Sequence, residues 1–199
     1  VANDASLFVD GKPSTTDALE NEVIFEGDRL EPDFSEVPGQ WGTIWLTNGS
    51  HSNILNNLTI KNAVIGLYVN GNDNTNSVNA TLNNVQIYNC SNIGLYATTG
   101  FVDGKNVVIN NCGEASFQGS FGGSYEFKHC TFNNNWNSPK QFAVLLSNYE
   151  KNADNSVTVG DLVQANFYNC IIYGNNNVEL FFDKYEDAVF NYDFKYNLI

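Results

Sequence analysis

The sequence predicts an all-β protein, a right-handed parallel β-helix solenoid with three strands per coil and roughly six to seven coils. Three observations lead to this prediction. A short segment of alternating apolar residues returns in phase along the chain, its copies are about 22 residues apart where they lie closest, and asparagine recurs at fixed positions within them. In-phase copies of this length with a strand pattern are typical of solenoids, in which each repeat packs on its neighbours.

One apolar position marks each copy of the repeat. The clearest copies are residues 55–62, 82–89, 104–111 and 127–134. The marked residues are Val23, Leu58, Val85, Val107, Cys130, Cys170 and Asn197. Alternation around the mark places every second side chain on one face of a strand. We therefore expect these side chains to point inward: Leu58, Ile60, Val85, Ile87, Val107, Ile109, Phe132 and Ile172.

Two further alternating runs complete each unit. One follows the mark, as at Ile65/Leu67/Val69, and the other precedes it, as at Tyr125/Phe127. Three short strands and three corners describe one coil, and coils stack about 4.8 Å apart through main-chain hydrogen bonds. Parallel crossovers are strongly right-handed. A leucine-rich repeat would need a denser leucine framework, a β-sandwich would not repeat one octapeptide in phase, and a helical solenoid would need a 3.6-residue period.

Length and charge limit the class of protein. At 199 residues the sequence predicts one domain spanning residues 1–199. Because another copy of the repeat begins at Phe194 and then stops, we expect a fragment of a longer chain or a covered end. The net charge of −13 repels phosphate backbones, so we expect no nucleic-acid partner. No run of 18 apolar residues is present in the sequence, which excludes a transmembrane helix.

The four cysteines fall on core positions of the repeat. Cys130 and Cys170 stand where other copies have Leu or Val, and Cys90 and Cys112 share a second position. A thiol at such a position behaves as a small apolar side chain. We therefore expect four free, buried cysteines, with a disulfide framework or a metal site as the alternatives.

Asparagine occupies two repeat positions at strand edges. The first position holds Asn62, Asn89, Asn111 and Asn134, and the second holds Asn57, Asn84, Asn106 and Asn169. Asparagine tolerates the left-handed backbone conformation that a corner requires. Stacked amides can also hydrogen-bond to one another along the axis, so the sequence predicts asparagine ladders.

Three insertions, at residues 70–79, 147–161 and 183–188, occupy equivalent places in the repeat and should project from one edge. Their charge is mostly acidic. Calcium is the cofactor such loops could bind, with Asp73 and Asp154 as candidate ligands, although the spacing is not that of an EF-hand. If the protein is an enzyme, the candidate catalytic residues are Asp161, Asp183, Asp187 and Lys184. The aromatic candidates for binding are Trp41, Trp45, Tyr68, Tyr96, Trp136 and Tyr149.

Among these aromatic residues, Tyr68 and Tyr96 share an outward repeat position, which predicts an aromatic column. Catalytic motifs are missing from the sequence: it has no Gly-x-Ser-x-Gly elbow, no His-Glu-x-x-His and no phosphate-binding loop. It also lacks a carboxylate cluster on a strand face, where a rigid scaffold could hold it.

Three motifs carry a resemblance to a known family. They are Glu-Gly-Asp-Arg-Leu-Glu-Pro at residues 26–32, Pro-Gly-Gln-Trp-Gly-Thr-Ile-Trp at 38–45, and Gly-Gly-Ser-Tyr-Glu-Phe-Lys-His-Cys-Thr-Phe at 122–132. From about residue 6 to residue 199 the chain resembles uncharacterised bacterial surface lipoproteins with a right-handed parallel β-helix of the pectin lyase-like superfamily. The resemblance implies a lipoprotein leader and a β-rich domain outside this chain, a cell-surface or periplasmic location, and membrane attachment only through that lipid anchor. It implies no established reaction.

From these features we expect a non-catalytic cell-surface or periplasmic β-helix scaffold that binds a glycan or a surface protein through its inserted edge. The alternative is a polysaccharide lyase or glycoside hydrolase that acts on acidic polysaccharide, since a β-helix offers a long groove suited to polymers. Convergence of carboxylates in a groove would separate the two functions.

Overall fold

A computed structural model describes residues 1–71 and 77–199 of the chain. Its strands, in chain order, are β1 (Phe8–Asp10), β2 (Val23–Phe25), β3 (Ile44–Leu46), β4 (Asn53–Lys61), β5 (Ile65–Asn70), β6 (Ala80–Cys90), β7 (Ile93–Thr98), β8 (Phe101–Cys112), β9 (Ala115–Ser120), β10 (Gly123–Lys128), β11 (Thr131–Asn134), β12 (Phe142–Ser147), β13 (Tyr149–Lys151), β14 (Val157–Val159), β15 (Leu162–Tyr168), β16 (Ile171–Gly174), β17 (Leu180–Asp183) and β18 (Asp193–Lys195). The described residues also contain one 3-10 turn, Pro32–Phe34. None of their helical structure is long and apolar enough to span a membrane.

Two long parallel sheets make up the body of the protein. The larger, of ten strands, runs β1-β4-β6-β8-β10-β15-β18, with β2 beside β4, β11 beside β8 and β16 beside β11. The smaller, of six strands, runs β3-β5-β7-β9-β12-β17. Apart from the antiparallel hairpin β13–β14, one or two successive strands lie in the larger sheet before the chain passes to the smaller one, and parallel pairing joins strands of successive repeats. This arrangement confirms the all-β, parallel part of the prediction and is consistent with a β-helix solenoid.

The register between strands matches the predicted repeat. Val23 pairs with Leu58, Leu58 with Val85, and Val85 with Val107. Further along, the residue after each marked cysteine is paired in the same way, Thr131 with Val108 and with Ile171. All eight side chains predicted to point inward are at most 1% exposed. The phase read from the sequence is therefore confirmed at these positions.

The predicted strands before and after the mark are joined in part of the structure. In β4, β6 and β8 they form one continuous strand, bent where Asn57, Asn84 and Asn106 take φ values of 49°, 54° and 54°. At the same register position, His129 (φ 56°) separates β10 from β11, and Asn169 (φ 55°) separates β15 from β16. The corner is thus a single left-handed residue, and a corner this tight lets hydrogen bonding continue across it in three of the five strands.

Both predicted asparagine ladders form over part of their length. The Asn84 amide donates to Asn57 Oδ1 (3.2 Å) and the Asn106 amide donates to Asn84 Oδ1 (2.8 Å). In the other ladder, at the first of the two repeat positions, Asn89 donates to Asn62 (2.7 Å) and Asn111 donates to Asn89 (3.0 Å).

Asn134 and Asn169 do not extend these ladders. Asn134 Oδ1 accepts the Cys112 N–H (3.0 Å), and its amide donates to the Cys112 carbonyl (2.8 Å), because the chain leaves β11 there without a positive φ. Asn169 keeps the left-handed corner, but His129 separates it from Asn106 in the stack. Corner geometry and amide stacking are therefore separable properties of the same repeat position.

The core changes from aliphatic to aromatic along the stack. Leu, Val and Ile fill it from β4 to β8, whereas a cluster of buried rings fills the following layers: Phe117, Tyr125, Phe127, Phe132 and Phe167. Gly104 makes room for the first of these layers, since a Cβ there would lie 2.5 Å from Phe127 Cδ1. The Phe127 ring is thus matched by a small residue in the adjacent layer.

All four cysteines are free and buried, as predicted. Cys90 lies directly beside Cys112 in the parallel ladder. Cys130 and Cys170 immediately precede the paired residues Thr131 and Ile171. Burial raises the pKa of the Cys112 thiol, which keeps it protonated and unreactive at neutral pH.

We expect the four thiols to be unreactive in the folded protein and fully reactive in the unfolded one. A chromogenic thiol reagent should titrate four thiols in denaturant and almost none under native conditions at neutral pH. Pre-treatment with a reductant should leave both values unchanged. Fewer than four thiols in denaturant without reductant would reveal a disulfide and contradict the assignment.

A second prediction concerns Asn89, which is 5% exposed with φ 58° and donates to both Asn62 and the Glu36 carbonyl. Asn89→Ala should lower the free energy of unfolding by about 3 kcal/mol, since it loses hydrogen bonds and strains a left-handed corner. Asn89→Gly should cost about 1 kcal/mol less, because glycine adopts this φ freely. Urea unfolding would measure both, with the exposed Asn135→Ala as control. Equal losses for Ala and Gly would show that the corner carries no strain.

Candidate functional site

An aromatic column runs across the outward face of the six-stranded sheet. Trp45 of β3 pairs with Tyr68 of β5, which pairs with Tyr96 of β7. The ring centroids of Trp45 and Tyr68 are 5.6 Å apart and inclined by 11°, and those of Tyr68 and Tyr96 are 4.8 Å apart and inclined by 19°. The Tyr68–Tyr96 part confirms the predicted column. The structure adds Trp45 to this column. The sequence contains a signal for it, since each of the three aromatic residues directly precedes an inward-facing residue.

The column ends at Tyr96. The next residue in register is Gln118 of β9, whose amide donates along its own strand to Ser120 Oγ (2.9 Å). Among the described residues, Tyr96 stacks with no ring other than Tyr68. The layer beyond Tyr96 therefore has a polar residue in place of a fourth ring.

A groove of about 500 Å³ opens at this point. Its floor includes outward residues of neighbouring strands, among them the paired Thr98 and Ser120 and the paired Ser147 and Asp183. Its lining comprises Tyr68, Tyr96, Thr98, Ser120, Phe121, Ser147, Tyr149, Glu150, Lys151 and Asp183. Three of the predicted site residues, Tyr68, Tyr96 and Tyr149, thus share one groove with the predicted catalytic candidate Asp183.

The hairpin β13–β14, formed by the insertion at residues 147–161, makes one wall of the groove. The Tyr149 hydroxyl donates to the Asp183 carboxylate, with distances of 3.0 and 2.9 Å to its two oxygens. This contact ties the hairpin to the end of β17. The Tyr149 ring also lies 5.6 Å from that of Tyr185, in the following insertion.

Asn148 joins the two insertions from beneath. It is fully buried, its Oδ1 accepts the Tyr185 N–H (2.7 Å), and its amide donates to the Tyr185 and Ala188 carbonyls (2.9 and 3.2 Å). Sequence reasoning missed this residue, since an asparagine after a strand is common in this chain. The insertions at 147–161 and 183–188 therefore pack together, while residues 72–76 of the third insertion lie outside the described part.

The charge of the groove is mostly negative. Glu150 and Asp183 face one cation of the lining, Lys151, whose Nζ lies 5.9 Å from the Tyr149 ring centroid. The hydrogen bond to Asp183 raises the pKa of Tyr149 above its ordinary value of about 10. The bond therefore holds the hairpin at pH values below 10, and it is lost as the pH rises through the raised pKa.

The four catalytic candidates do not converge. Asp183 lines the groove, whereas Asp161 Oδ1 accepts the Val189 N–H (2.9 Å) and so fixes the adjacent loop. Lys184 forms an exposed ion pair with Glu186 (2.9 Å), and Asp187 is an exposed residue of the same loop. The second carboxylate of the groove is Glu150, which was not among the candidates because nothing in the sequence shows that its hairpin folds toward β17.

Trp41 and Trp136 lie apart from the column. The Trp41 indole N–H donates to the Lys61 carbonyl (2.8 Å), and its ring packs against the core. Trp136 is half-buried in the loop between β11 and β12. In the part of the chain that the structure describes, neither ring stacks with Trp45, so the three tryptophans do not form one platform.

The calcium candidates were Asp73 and Asp154. Asp154 caps the turn of its own hairpin: Oδ1 accepts from the Ser156 N–H (2.9 Å) and hydroxyl (2.6 Å), and these bonds lower its pKa. Asp73 lies outside the described residues. Across residues 1–71 and 77–199, no group of three or more His, Cys, Asp or Glu side chains is placed to hold a metal ion.

Comparisons with protein-family models, with curated proteins and with solved structures found no match to this chain.

We predict that Tyr149→Phe loosens the hairpin without unfolding the sheets. Trypsin should cleave after Lys151 about three- to fivefold faster than in the wild type, because loss of this partly buried hydrogen bond to a carboxylate makes local opening of the hairpin modestly easier. Tyr173→Phe, at an exposed tyrosine on the ten-stranded sheet, serves as the control. An unchanged rate at Lys151 would show that the Tyr149–Asp183 contact does not hold the hairpin.

Proposed function

We propose that the protein is a non-catalytic scaffold that binds a glycan in the groove between the six-stranded sheet and the β13–β14 hairpin. One observation carries this proposal: an aromatic column ends at a groove whose floor and wall supply hydroxyl and carboxylate groups. A sugar ring has an apolar C–H face that packs on an aromatic ring, and hydroxyls that need hydrogen-bond partners. The groove offers both kinds of surface within one site.

The scaffold proposed here is a right-handed β-helix of roughly six to seven coils. The marked residues from Val23 to Asn197 support the number of coils, since each is in register with the next or adjoins a residue that is. Handedness is supported by the strong preference of parallel crossovers. A stack of this kind presents equivalent outward positions at a regular spacing, which suits a polymeric ligand.

The contacts of three catalytic candidates support binding over catalysis. Asp183 is engaged by the Tyr149 hydroxyl, Asp161 by a main-chain N–H, and Lys184 by Glu186. None of these three is poised as a free general base.

Polysaccharide lyase or glycoside hydrolase activity is the second candidate. The observation in its favour is that two carboxylates, Asp183 and Glu150, line the same groove. Glycosidases use two carboxyl groups on opposite sides of the bond that they break. The two candidates differ in outcome, because only the enzyme would release product.

We place the scaffold at the bacterial cell surface or in the periplasm, attached through a lipid anchor outside this chain. This part of the proposal is supported by the family resemblance of the sequence motifs. A surface protein could occupy the same groove, and the glycan is favoured because the lining has one stacked ring column beside several hydroxyl groups.

Affinity electrophoresis in gels containing soluble polysaccharides would test the proposal. At least one of galactan, xylan, mannan, β-glucan, hydroxyethyl cellulose or polygalacturonate should retard the wild type. Tyr96→Ala should weaken that retardation about tenfold, since an aromatic contact contributes on the order of 1 kcal/mol beyond the area it buries. Tyr173→Ala, at an exposed ring outside the groove, should leave the retardation unchanged.

Prolonged incubation with each polysaccharide, with and without calcium, would separate binding from catalysis. The scaffold predicts saturable binding without unsaturated products or new reducing ends. Turnover that Asp183→Ala abolishes would establish the enzyme instead. Retardation by none of the polysaccharides would refute the glycan site.

A further inference from the structure

We infer that the groove selects a neutral sugar chain and excludes uronates and sulfated sugars, with one ring of the chain packed against Tyr96 in the groove lining. This inference rests on the proposed glycan-binding function and specifies its ligand class. Its basis is the combination of an aromatic side chain, carboxylate acceptors and negative charge in one groove.

The position of the sugar ring follows from the column. Tyr68 has a stacked ring on each side, at 5.6 and 4.8 Å, so its faces are covered. Tyr96 is covered by Tyr68 on one side, and on the other side the next residue in register is Gln118. Gln118 therefore fills the layer beyond Tyr96, and a sugar ring would pack against Tyr96 where that side chain lines the groove. The groove opens at this layer.

The polar groups around that layer are mostly acceptors. Ser120 and Ser147 add hydroxyl groups to the groove lining. Asp183 accepts from Tyr149 but has further lone pairs, and Glu150 adds a second carboxylate. Acceptors of this kind are satisfied by hydroxyl donors, and a neutral sugar supplies several hydroxyls on each ring.

The charge around the layer opposes anions. Glu150 and Asp183 outnumber the one cation of the lining, Lys151, within a chain whose net charge is −13. A carboxylate or sulfate on the bound ring would meet these groups at short range, and like charges that close are unfavourable. The preference for neutral sugars therefore has two sources. Groove acceptors bind sugar hydroxyl groups, and groove carboxylates repel anionic sugars.

The test uses pairs of polymers that differ mainly in charge: galactan against polygalacturonate, and hydroxyethyl cellulose against carboxymethyl cellulose. Affinity electrophoresis would be run at low salt and at about 0.5 M salt, where charge effects beyond about 4 Å are screened. We expect the neutral member of at least one pair to retard the protein at least tenfold more strongly at both salt concentrations. Tyr96→Ala should abolish this preference.

Glu150→Gln removes one carboxylate from the groove and leaves the Tyr149–Asp183 bond in place. It should raise retardation by the acidic member of that pair about two- to fivefold, as expected for one partly exposed charge. Glu114→Gln makes the same charge change at an exposed site outside the groove and should have no such effect. Trypsin cleavage after Lys151 would verify that the hairpin of the variant stays in place.

Three results would overturn the inference. Stronger binding of the acidic member that Tyr96→Ala abolishes would show a glycan site of opposite charge preference and leave the proposed function intact. An equal effect of Glu114→Gln and Glu150→Gln would show that net charge, and not the groove, sets the preference. If no polymer of these pairs or of the larger panel retards the protein, both the ligand class and the proposed function are refuted.

Discussion

In-register pairing of each strand with the strand one repeat later is the constraint on which the rest of the structure depends. Because parallel strands place equivalent residues directly beside one another, any residue kept at a repeat position becomes a column. The inward columns form the core, the corner columns form the amide ladders, and one outward column forms the ring stack of Trp45, Tyr68 and Tyr96. The free cysteines Cys90 and Cys112 lie side by side for the same reason.

The features that the sequence could predict are those that recur from one coil to the next at the same repeat position. Leu58, Val85 and Val107 share a position in one dimension, so their pairing and burial can be inferred without three-dimensional information. The same holds for Tyr68 and Tyr96. Trp45 was less apparent because its strand, β3, belongs to a copy of the repeat that is poorly preserved in the sequence.

The features that the sequence could not predict depend on contacts between insertions. Asn148 hydrogen-bonds to the loop at Tyr185, and Tyr149 hydrogen-bonds to Asp183, 37 and 34 residues away, in insertions that carry no repeat. Glu150 reaches the groove for the same reason. Asn134 shows that a repeat position alone does not ensure a ladder. It lies at the predicted position, but the backbone changes direction there and its amide donates to the Cys112 carbonyl. The candidate site thus combines a predictable half, the sheet, with an unpredictable half, the hairpin.

The amide ladders also give the molecule a mechanical direction. The Asn62–Asn89–Asn111 bonds and the main-chain bonds of both sheets all run across the strands, along the stack. Tension applied along the stack loads successive layers in series, so layers can separate one at a time. Tension applied along the strands must shear many bonds together. A protein built this way would resist tension along its strands far better than tension along the stack, and the asparagine amides add hydrogen bonds in the direction in which the stack separates most easily.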